Sequence, residues 1–189
     1  MICGNIDLAC TACRLSEHRS RVVPGGGSCK SRIMLIGEAP GKEEDLRGQP
    51  FVGRAGKLLD ETLLKLGVDR KSVYVGNIVK CRPPKNRRPR ADEIETCTSL
   101  YLLNEIDAVA PEVICALGLT AAGYFMPVGA NLSELVGEES LVIVNGRKIR
   151  FFVTYHPAAC LYQKKNLAGF RKGLRSALKA AALTSPGRR

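Results

Sequence analysis

RIMLIGE, residues 32–38, is the segment from which we derive the fold. Its apolar residues follow one another without a polar interruption and end at Gly37, which is typical of a short strand buried on both faces. Three further segments share this pattern, and they are 73–79 (VYVGNIV), 112–118 (EVICALG) and 149–157 (IRFFVTYHP). Continuous apolar strands of this kind indicate a parallel sheet.

Helical patterns separate these strands. Residues 53–67 place leucines at helical spacing and end at a glycine, which is a common stop signal. Three other segments have helical patterns: 90–110, 120–126 and 170–183. The alternation predicts an α/β fold with helices on both faces of the sheet. In addition, Asn145-Gly146 between alternating apolar residues predicts a β-hairpin over 141–153.

Ligands of such folds bind at the carboxyl ends of the parallel strands. Here those ends carry Glu38 and Ala39, Asn77, Gly118 and His156. We therefore expect an acidic loop, an asparagine amide and one of the two histidines to meet on one rim of the sheet. This rim is the predicted functional site.

The charge of the chain points to an acidic partner. There are 29 Lys and Arg residues against 18 Asp and Glu residues, a formal net charge of +11. Such a surplus favours nucleic acid, although a merely solvated basic surface is the alternative. No apolar run approaches the roughly 20 residues that a membrane helix needs, and the N-terminus does not have the pattern of a signal peptide. We expect a cytoplasmic monomer that does not bind membranes, associated with the nucleoid in a prokaryote.

The spacing of the cysteines indicates a metal site. Cytosolic thiols stay reduced, so the eight cysteines are not expected to form structural disulfides, and Cys29 has no obvious partner. A thioredoxin-type C-x-x-C would follow a strand, which CTAC at residues 10–13 does not. With Cys81 and Cys97, this pair could complete a site of four thiolates. Such a site holds zinc or an iron–sulfur cluster, and spacing does not separate the two.

Residues 82–96, between Cys81 and Cys97, are strongly basic and contain three prolines. Metal ligation at both ends would order this segment into a rigid basic surface for phosphates. The alternative is a solvated charged loop. The predicted phosphate contacts in this segment are Arg82, Lys85, Arg87 and Arg88.

Four motifs together resemble one family, the iron–sulfur family 4 uracil-DNA glycosylases. They are CTACRL (10–15), GEAPGKEEDLRGQPFVGRAGKLLD (37–60), NIVKCRPPKNRRP (77–89) and HPAA (156–159). The resemblance runs from about residue 10 to about residue 180. It implies one domain over residues 1–189, folded as a three-layer α/β/α sandwich with a central four-stranded parallel sheet. The six residues after Leu183, 184–189, are expected to form a disordered tail.

The resemblance also implies a cofactor and a reaction. The cofactor is a [4Fe–4S] cluster that ties residues 10–13 to 81–97; its expected ligands are Cys10, Cys13, Cys81 and Cys97. The reaction is hydrolysis of the N-glycosidic bond of deoxyuridine in DNA, which releases uracil and leaves an abasic site for base excision repair. The target nucleotide must first be flipped out of the duplex into a pocket. The sequence does not indicate which replication or repair factor, if any, recruits the protein.

By resemblance, three residues handle the base. Phe51 stacks on it, the amide of Asn77 pairs with its N3–H and O4, and His156 lies near O2, where negative charge develops as the bond breaks. Sequence alone leaves open whether His156 is neutral or charged.

The loop GEAPGKEED (37–45) supplies the remaining predicted contacts. Better-known glycosylases of this fold carry a water-orienting Asp at the position of Ala39, so here the backbone near Ala39 is expected to contact the base. Glu38 is the first candidate for the carboxylate that positions water or steadies a cationic sugar. Glu44 or Asp45 could line the C5 edge of uracil and exclude thymine. The alternative for these acidic residues is a helix N-terminal cluster.

The segment after His156 is expected to be a loop that enters the minor groove. Leu161 is the best candidate for the wedge that fills the gap left by the flipped base, with Cys160 or Tyr162 as alternatives, and Lys164 would hold phosphate.

The residues also leave two other functions open. One is a uracil-DNA binder without turnover or one that cross-links, although the cross-linking relatives use a histidine in an inserted basic loop and 81–97 contains none. The other is a nucleic-acid module held together by zinc.

Overall fold

A computed structural model of the chain describes residues 2–126 and 131–183. The predicted tail at 184–189 lies outside the described residues. The strands are β1 (Gly26–Gly27), β2 (Ile33–Gly37), β3 (Tyr74–Asn77), β4 (Val113–Leu117), β5 (Glu139–Val144) and β6 (Arg147–Thr154). The helices are α1 (Lys42–Arg47), α2 (Arg54–Lys65), α3 (Ala91–Cys97), α4 (Leu103–Val109), α5 (Leu119–Phe125), α6 (Leu132–Leu135), α7 (Pro157–Tyr162) and α8 (Asn166–Ala180).

The six strands form one sheet in the order β1-β3-β2-β4-β6-β5. The four central strands, β3, β2, β4 and β6, are parallel, which confirms the predicted core of the fold. The sheet has six strands rather than four because β1 and β5 add antiparallel edges. β1 consists of two glycines and so carries no side-chain pattern, and β5 is the first arm of the predicted hairpin. Its turn has positive φ at Asn145 and Gly146, 48° and 77°, as a type I′ turn requires.

Two apolar cores lie on opposite faces of the sheet, which gives the three layers. Because successive side chains of a strand point to opposite faces, Met34 and Ile36 of β2 join the core shared with α4 and α5. Ile33 and Leu35 of the same strand join the core shared with α2 and α8. All four side chains are fully buried, as expected for a parallel strand covered on both sides.

Several helices differ from the predictions. The helix expected at 90–110 is formed by α3 and α4, joined by a π-helical segment at Thr98–Leu102. The segment after His156 is not a loop, because 157–162 forms α7, which begins at Pro157, a residue well suited to the first turn. The acidic cluster 43–45 lies in the first turn of α1, where carboxylates are stabilised by the helix dipole.

One cysteine prediction is wrong. Cys3 and Cys29 form a disulfide, with their Cα atoms 5.6 Å apart. This pair has no local signal in the sequence, because the two cysteines are 26 positions apart and meet only in the folded chain. Within the described ranges, no helix is long and apolar enough to cross a membrane.

Candidate active site

A pocket of about 390 Å³ opens where β2, β3 and β6 end. It has the size of typical small-ligand sites. All six predicted base-binding residues line it: Glu38, Ala39, Glu44, Phe51, Asn77 and His156. The other lining residues are Pro40, Gly41, Ala55, Pro83, Asn86, Arg87, Ala158 and Tyr162. The ends of β2, β3 and β6 therefore meet in one cavity, as expected, whereas Gly118 at the end of β4 does not line it.

Asn77 is the last residue of β3 and is only 2% exposed. Its Oδ1 is buried and has no hydrogen-bond partner among the described residues. Leaving a buried polar atom unpaired costs about 1–3 kcal/mol, so such an atom in a pocket indicates a missing ligand. The amide is thus available to a bound molecule.

Phe51 reaches the pocket through an unusual backbone. Its φ is 56°, in the left-handed region that non-glycine residues rarely occupy, and its side chain is 7% exposed. Two glycines make room for it. A Cβ on Gly56 would lie 1.7 Å from the Phe51 carbonyl oxygen, and a Cβ on Gly37 would lie 2.7 Å from the Phe51 ring and 2.6 Å from Asn77 Oδ1. The strain and the glycines together place an aromatic face beside the amide.

His156 precedes α7 and caps its N-terminus. Its Nδ1 accepts the backbone N–H of Ala158 at 3.1 Å. Burial lowers the pKa of His156 to about 4, so the imidazole is neutral at physiological pH. Because Nδ1 is an acceptor, the single proton of the neutral ring is on Nε2. The ring centroid lies 6.1 Å from that of Phe51.

The acidic loop is fixed to β3 and to the start of α2. The carbonyl oxygens of Gly37 and Glu38 accept the backbone N–H groups of Ile78 and Val79 at 2.9 and 3.3 Å. Glu44 Oε1 accepts the N–H of Gly53 at 2.7 Å, and this side chain lines the pocket.

Asp45 differs from its neighbour Glu44. Its Oδ1 accepts the N–H groups of Ser20 and Arg21 at 2.8 and 3.3 Å, and the residue is 3% exposed and does not line the pocket. Of the two carboxylates proposed for the C5 edge, only Glu44 is therefore in position. Asp45 instead connects α1 to the N-terminal segment.

The basic segment is ordered by its own ion pairs. Arg87 makes two hydrogen bonds to Glu93, at 2.6 and 2.8 Å, and Glu93 is completely buried. The bond from Arg87 is the main reason that the pKa of Glu93 is lowered. Arg82 Nε donates to Asn86 Oδ1 at 2.7 Å. Arg87 is thus held at the pocket wall, whereas Lys85 and Arg88 are exposed.

The three candidates for a wedge have very different exposures. Cys160 is 5% exposed and its Sγ lies 3.7 Å from the carbonyl oxygen of His156, so it cannot reach DNA. Leu161 is 36% exposed and Tyr162 is 86% exposed. Tyr162 also lines the pocket, a placement that the sequence did not indicate. Lys164 is exposed two residues further on.

Four cysteines line a second cavity, as their spacing suggested. Cys10, Cys13, Cys81 and Cys97 share it with the side chain of Arg19, among others. Burial raises the pKa of Cys81 to about 12 and that of Cys97 to about 11, so these thiols would ionise only with a strong positive charge beside them.

The surroundings of this cavity test whether a cluster fits. Arg19 Nη2 donates to the carbonyl oxygen of Cys10 at 2.6 Å, and its Nη1 is buried without a partner among the described residues. A buried, partly unpaired cation suits an anionic group of thiolates and sulfides. In the described parts of the chain, no three or more His, Cys, Asp or Glu side chains are grouped as ligands of a single metal ion.

Comparison with known proteins agrees with this geometry. The sequence model of the uracil DNA glycosylase superfamily matches residues 24–181, which include the whole pocket. The type-4 uracil-DNA glycosylase of Archaeoglobus fulgidus is 42% identical over 82% of this chain and 80% of its own length. The type-4 enzyme of Pyrobaculum aerophilum is 42% identical over 87% of this chain and 86% of its own length. That of Sulfurisphaera tokodaii is 44% identical over 82% and 72%. This chain belongs to the uracil DNA glycosylase superfamily and, within it, to the type-4 uracil-DNA glycosylases.

Proposed function

We propose that this protein hydrolyses the N-glycosidic bond between uracil and deoxyribose in DNA, with Asn77, Phe51, His156 and Glu38 as the residues that carry the reaction. The observation that supports this most directly is that Asn77 lines the pocket while its buried Oδ1 has no hydrogen-bond partner among the described residues. The products of this hydrolysis are free uracil and an abasic site in the DNA strand.

Asn77 selects the base. Its Oδ1 accepts N3–H of uracil, and its Nδ2 donates to O4. Cytosine has an acceptor at N3 and a donor at N4, so both contacts would become repulsive or unpaired in a buried site. Sites that read polar groups in this way discriminate strongly, because the wrong base leaves buried groups unsatisfied.

Phe51 and Glu44 complete the recognition. Stacking on an aromatic face contributes about 1–3 kcal/mol per base and is indifferent to base identity. Phe51 therefore supplies affinity while Asn77 supplies selectivity. Glu44, fixed by the N–H of Gly53, is the carboxylate that could border the C5 edge and exclude the methyl group of thymine.

His156 stabilises the leaving group. As the bond from C1′ to N1 breaks, its electron pair goes to uracil, and negative charge grows on O2. A neutral imidazole with its proton on Nε2 donates to that oxygen, and one such donor contributes about 3 kcal/mol to the transition state. Water then attacks the cationic C1′ and loses a proton.

Glu38 lies at the end of β2 and lines the pocket, so it is our candidate for the carboxylate that orients this water and steadies the sugar cation. Ala39, at the neighbouring position, has no side chain that could act as a base. We therefore infer a dissociative path in which departure of the uracil anion precedes capture by water.

Cys10, Cys13, Cys81 and Cys97 would hold a [4Fe–4S] cluster. When bound, it would cross-link the N-terminal segment to both ends of residues 82–96, and we assign it no step of the hydrolysis. Exposed Lys85, Arg88 and Lys164 would contact phosphates, together with the half-buried Arg82. Leu161 or Tyr162 would fill the gap in the stack. We propose that the protein acts as a monomer on chromosomal DNA in the cytoplasm.

The test uses an oligonucleotide with a single uracil, as a single strand and opposite guanine. The strand is treated with hot alkali after incubation and run on a denaturing gel, with cytosine at the same position as the control. Cleavage only at uracil supports the proposal. An intact strand with a shifted band that survives denaturation indicates covalent capture, and an intact strand with reversible binding indicates a non-catalytic module; either result overturns it.

A further inference from the structure

A buried ion pair lies one hydrogen bond away from Asn77, which lines the pocket. Lys80 Nζ is 2.5 Å from Glu105 Oε2, and both side chains are 0% exposed. The other carboxylate oxygen, Oε1, accepts the hydroxyl of Tyr74 at 2.9 Å and the N–H of Gly25 at 2.8 Å. The pair is thus fully hydrogen-bonded, with no member lining the pocket.

Stability alone does not account for this pair. Removing two charges from water is costly, and replacing a buried ion pair by apolar side chains of similar volume is often neutral or stabilising. Lys80 follows the apolar residues Ile78 and Val79. An apolar side chain at the position of Lys80 would pack in the core without burying a charge. A specific contact of the ammonium group must therefore explain it.

That contact is with the residue that reads the base. Lys80 Nζ donates to the backbone carbonyl of Asn77 at 2.7 Å. Lys80 lies three residues after Asn77, and its side chain returns to the end of β3. Lys80 thus holds the Asn77 carbonyl, while the Asn77 residue lines the pocket and its buried Oδ1 has no hydrogen-bond partner among the described residues.

The backbone of Lys80 is fixed as well. Its carbonyl accepts the N–H of Val23 at 2.7 Å, and its own N–H donates to Cys97 Sγ at 3.2 Å. One residue therefore connects three parts of the molecule: the strand end with Asn77, the buried Glu105 of α4, and a cysteine of the second cavity. If Lys80 moved, the hydrogen bond from its Nζ to the Asn77 carbonyl would change, and the position of Asn77 would change with it.

We propose that Lys80, held in place by Glu105, is a positioning residue that fixes the Asn77 amide for reading the base. This inference rests on the proposed function, in which Asn77 pairs with uracil. Lys80 does not touch the substrate and acts only through Asn77. Loss of the ammonium group frees the Asn77 carbonyl, and the amide then no longer holds the orientation that matches N3–H and O4.

The test is a double variant, Lys80→Met with Glu105→Gln. It removes both charges together, so no buried charge is left unpaired, and Gln keeps an oxygen for Tyr74 and Gly25. The pair of changes is made in the wild-type chain and in an Asn77→Ala chain, and single-turnover rates on uracil DNA are measured for all four proteins. The inhibition constant of free uracil, the melting temperature and the visible absorbance are measured alongside.

We expect the double change to lower the rate about 10- to 100-fold when Asn77 is present, as misplaced contacts commonly do. It should also weaken inhibition by free uracil. In the Asn77→Ala background the same change should lower the rate less than about threefold, because residues that act through one another are not additive. Equal fold losses in both backgrounds, or no loss with Asn77 present, overturn the inference.

Two further outcomes are distinguishable. If the wild-type protein releases no uracil, the proposed function fails and the inference fails with it. If it releases uracil and Asn77→Ala is slow, but the double change is additive, only the inference fails. Should the double variant not fold, Tyr74→Phe replaces it, since it removes one hydrogen bond to Glu105 and leaves the buried Lys80–Glu105 pair intact, with neither charge unpaired. A folded Tyr74→Phe protein with an unchanged rate also counts against the inference.

Discussion

His156 Nδ1 accepts the backbone N–H of Ala158 at 3.1 Å, and this contact determines which nitrogen of the neutral ring carries the proton. A ring nitrogen that accepts an N–H cannot carry a proton itself, so the neutral imidazole carries its proton on Nε2. Protonating Nδ1 would set two donors against each other. Burial keeps the ring neutral over the physiological pH range, and this contact leaves its one N–H on Nε2.

Replacing His156 by Ala should slow catalysis without weakening DNA binding. Its contact with O2 strengthens only as negative charge develops, so the single-turnover rate should fall about 10²- to 10³-fold. The dissociation constant for uracil DNA, measured by fluorescence anisotropy, should change less than about threefold. A loss of affinity as large as the loss of rate would contradict the role of His156 in the transition state.

The neutral state of His156 also has a consequence for stability. The unfolded chain protonates this imidazole near its ordinary pKa of 6.5, whereas the folded chain does so only near a pKa of about 4. Between these values the unfolded state binds more protons, so the free energy of unfolding falls as the pH is lowered through this window.

The corresponding contribution is fully present above pH 6.5 and amounts to roughly 3 kcal/mol. His156→Gln keeps a polar side chain but removes the titration, so its stability should depend less steeply on pH between 6.5 and 4. Urea unfolding of both proteins at a series of pH values measures the difference. Parallel curves would show that His156 is not held neutral.

Cys81→Ser should remove the cluster. We expect the wild-type protein to be brown, to absorb broadly in the visible range and to contain about four irons, as a four-thiolate iron–sulfur site implies. The variant should lose colour and iron. Cys115→Ala is the matched control, because Cys115 is equally buried in β4 and outside the cysteine cavity. A colourless, zinc-containing wild-type protein with full activity would refute the cluster.

Substitutions of Arg87 and Arg88 in the basic segment should affect different properties, stability in one case and DNA binding in the other. Arg88 is exposed, so Arg88→Ala should weaken binding to any DNA sequence and reduce the slope of log affinity against log salt by about 1. Arg87→Ala should lower the melting temperature instead, because the buried Glu93 carboxylate loses both hydrogen bonds from Arg87 and keeps only the more distant Arg14, at 4.0 Å. Salt titrations and thermal melts of the two variants distinguish these effects. An unchanged salt slope in Arg88→Ala would remove that residue from the DNA interface.

The features that could be predicted from the sequence are those with a signal in neighbouring residues. The four parallel strands were predictable because each is a continuous apolar run, and Asn77 and His156 were predictable as site residues because they end such runs. The hairpin followed from Asn145-Gly146. These features need only a few neighbouring residues to be recognised.

What the sequence did not reveal depends on contacts between distant residues. Lys80 and Glu105 are 25 residues apart and meet only after β3 and α4 pack. The strand β1 is formed by glycines, which have no side chains to show a pattern. Asp45 and Glu44 are adjacent in sequence, yet one faces the N-terminal segment and the other faces the pocket. Lys80 directly follows the apolar segment 73–79, and this placement was a hint of the ion pair.

The most direct test of base recognition by Asn77 measures base release by mass spectrometry in single-turnover reactions. The wild-type protein and the Asn77→Ala variant are each given a duplex with uracil, and a second duplex with cytosine at the same position. We predict free uracil and an abasic strand from the wild-type protein, no release of cytosine, and uracil release at least about 10²-fold slower from Asn77→Ala. Undiminished uracil release by Asn77→Ala, with the same rejection of cytosine, would contradict the assignment of base recognition to this pocket.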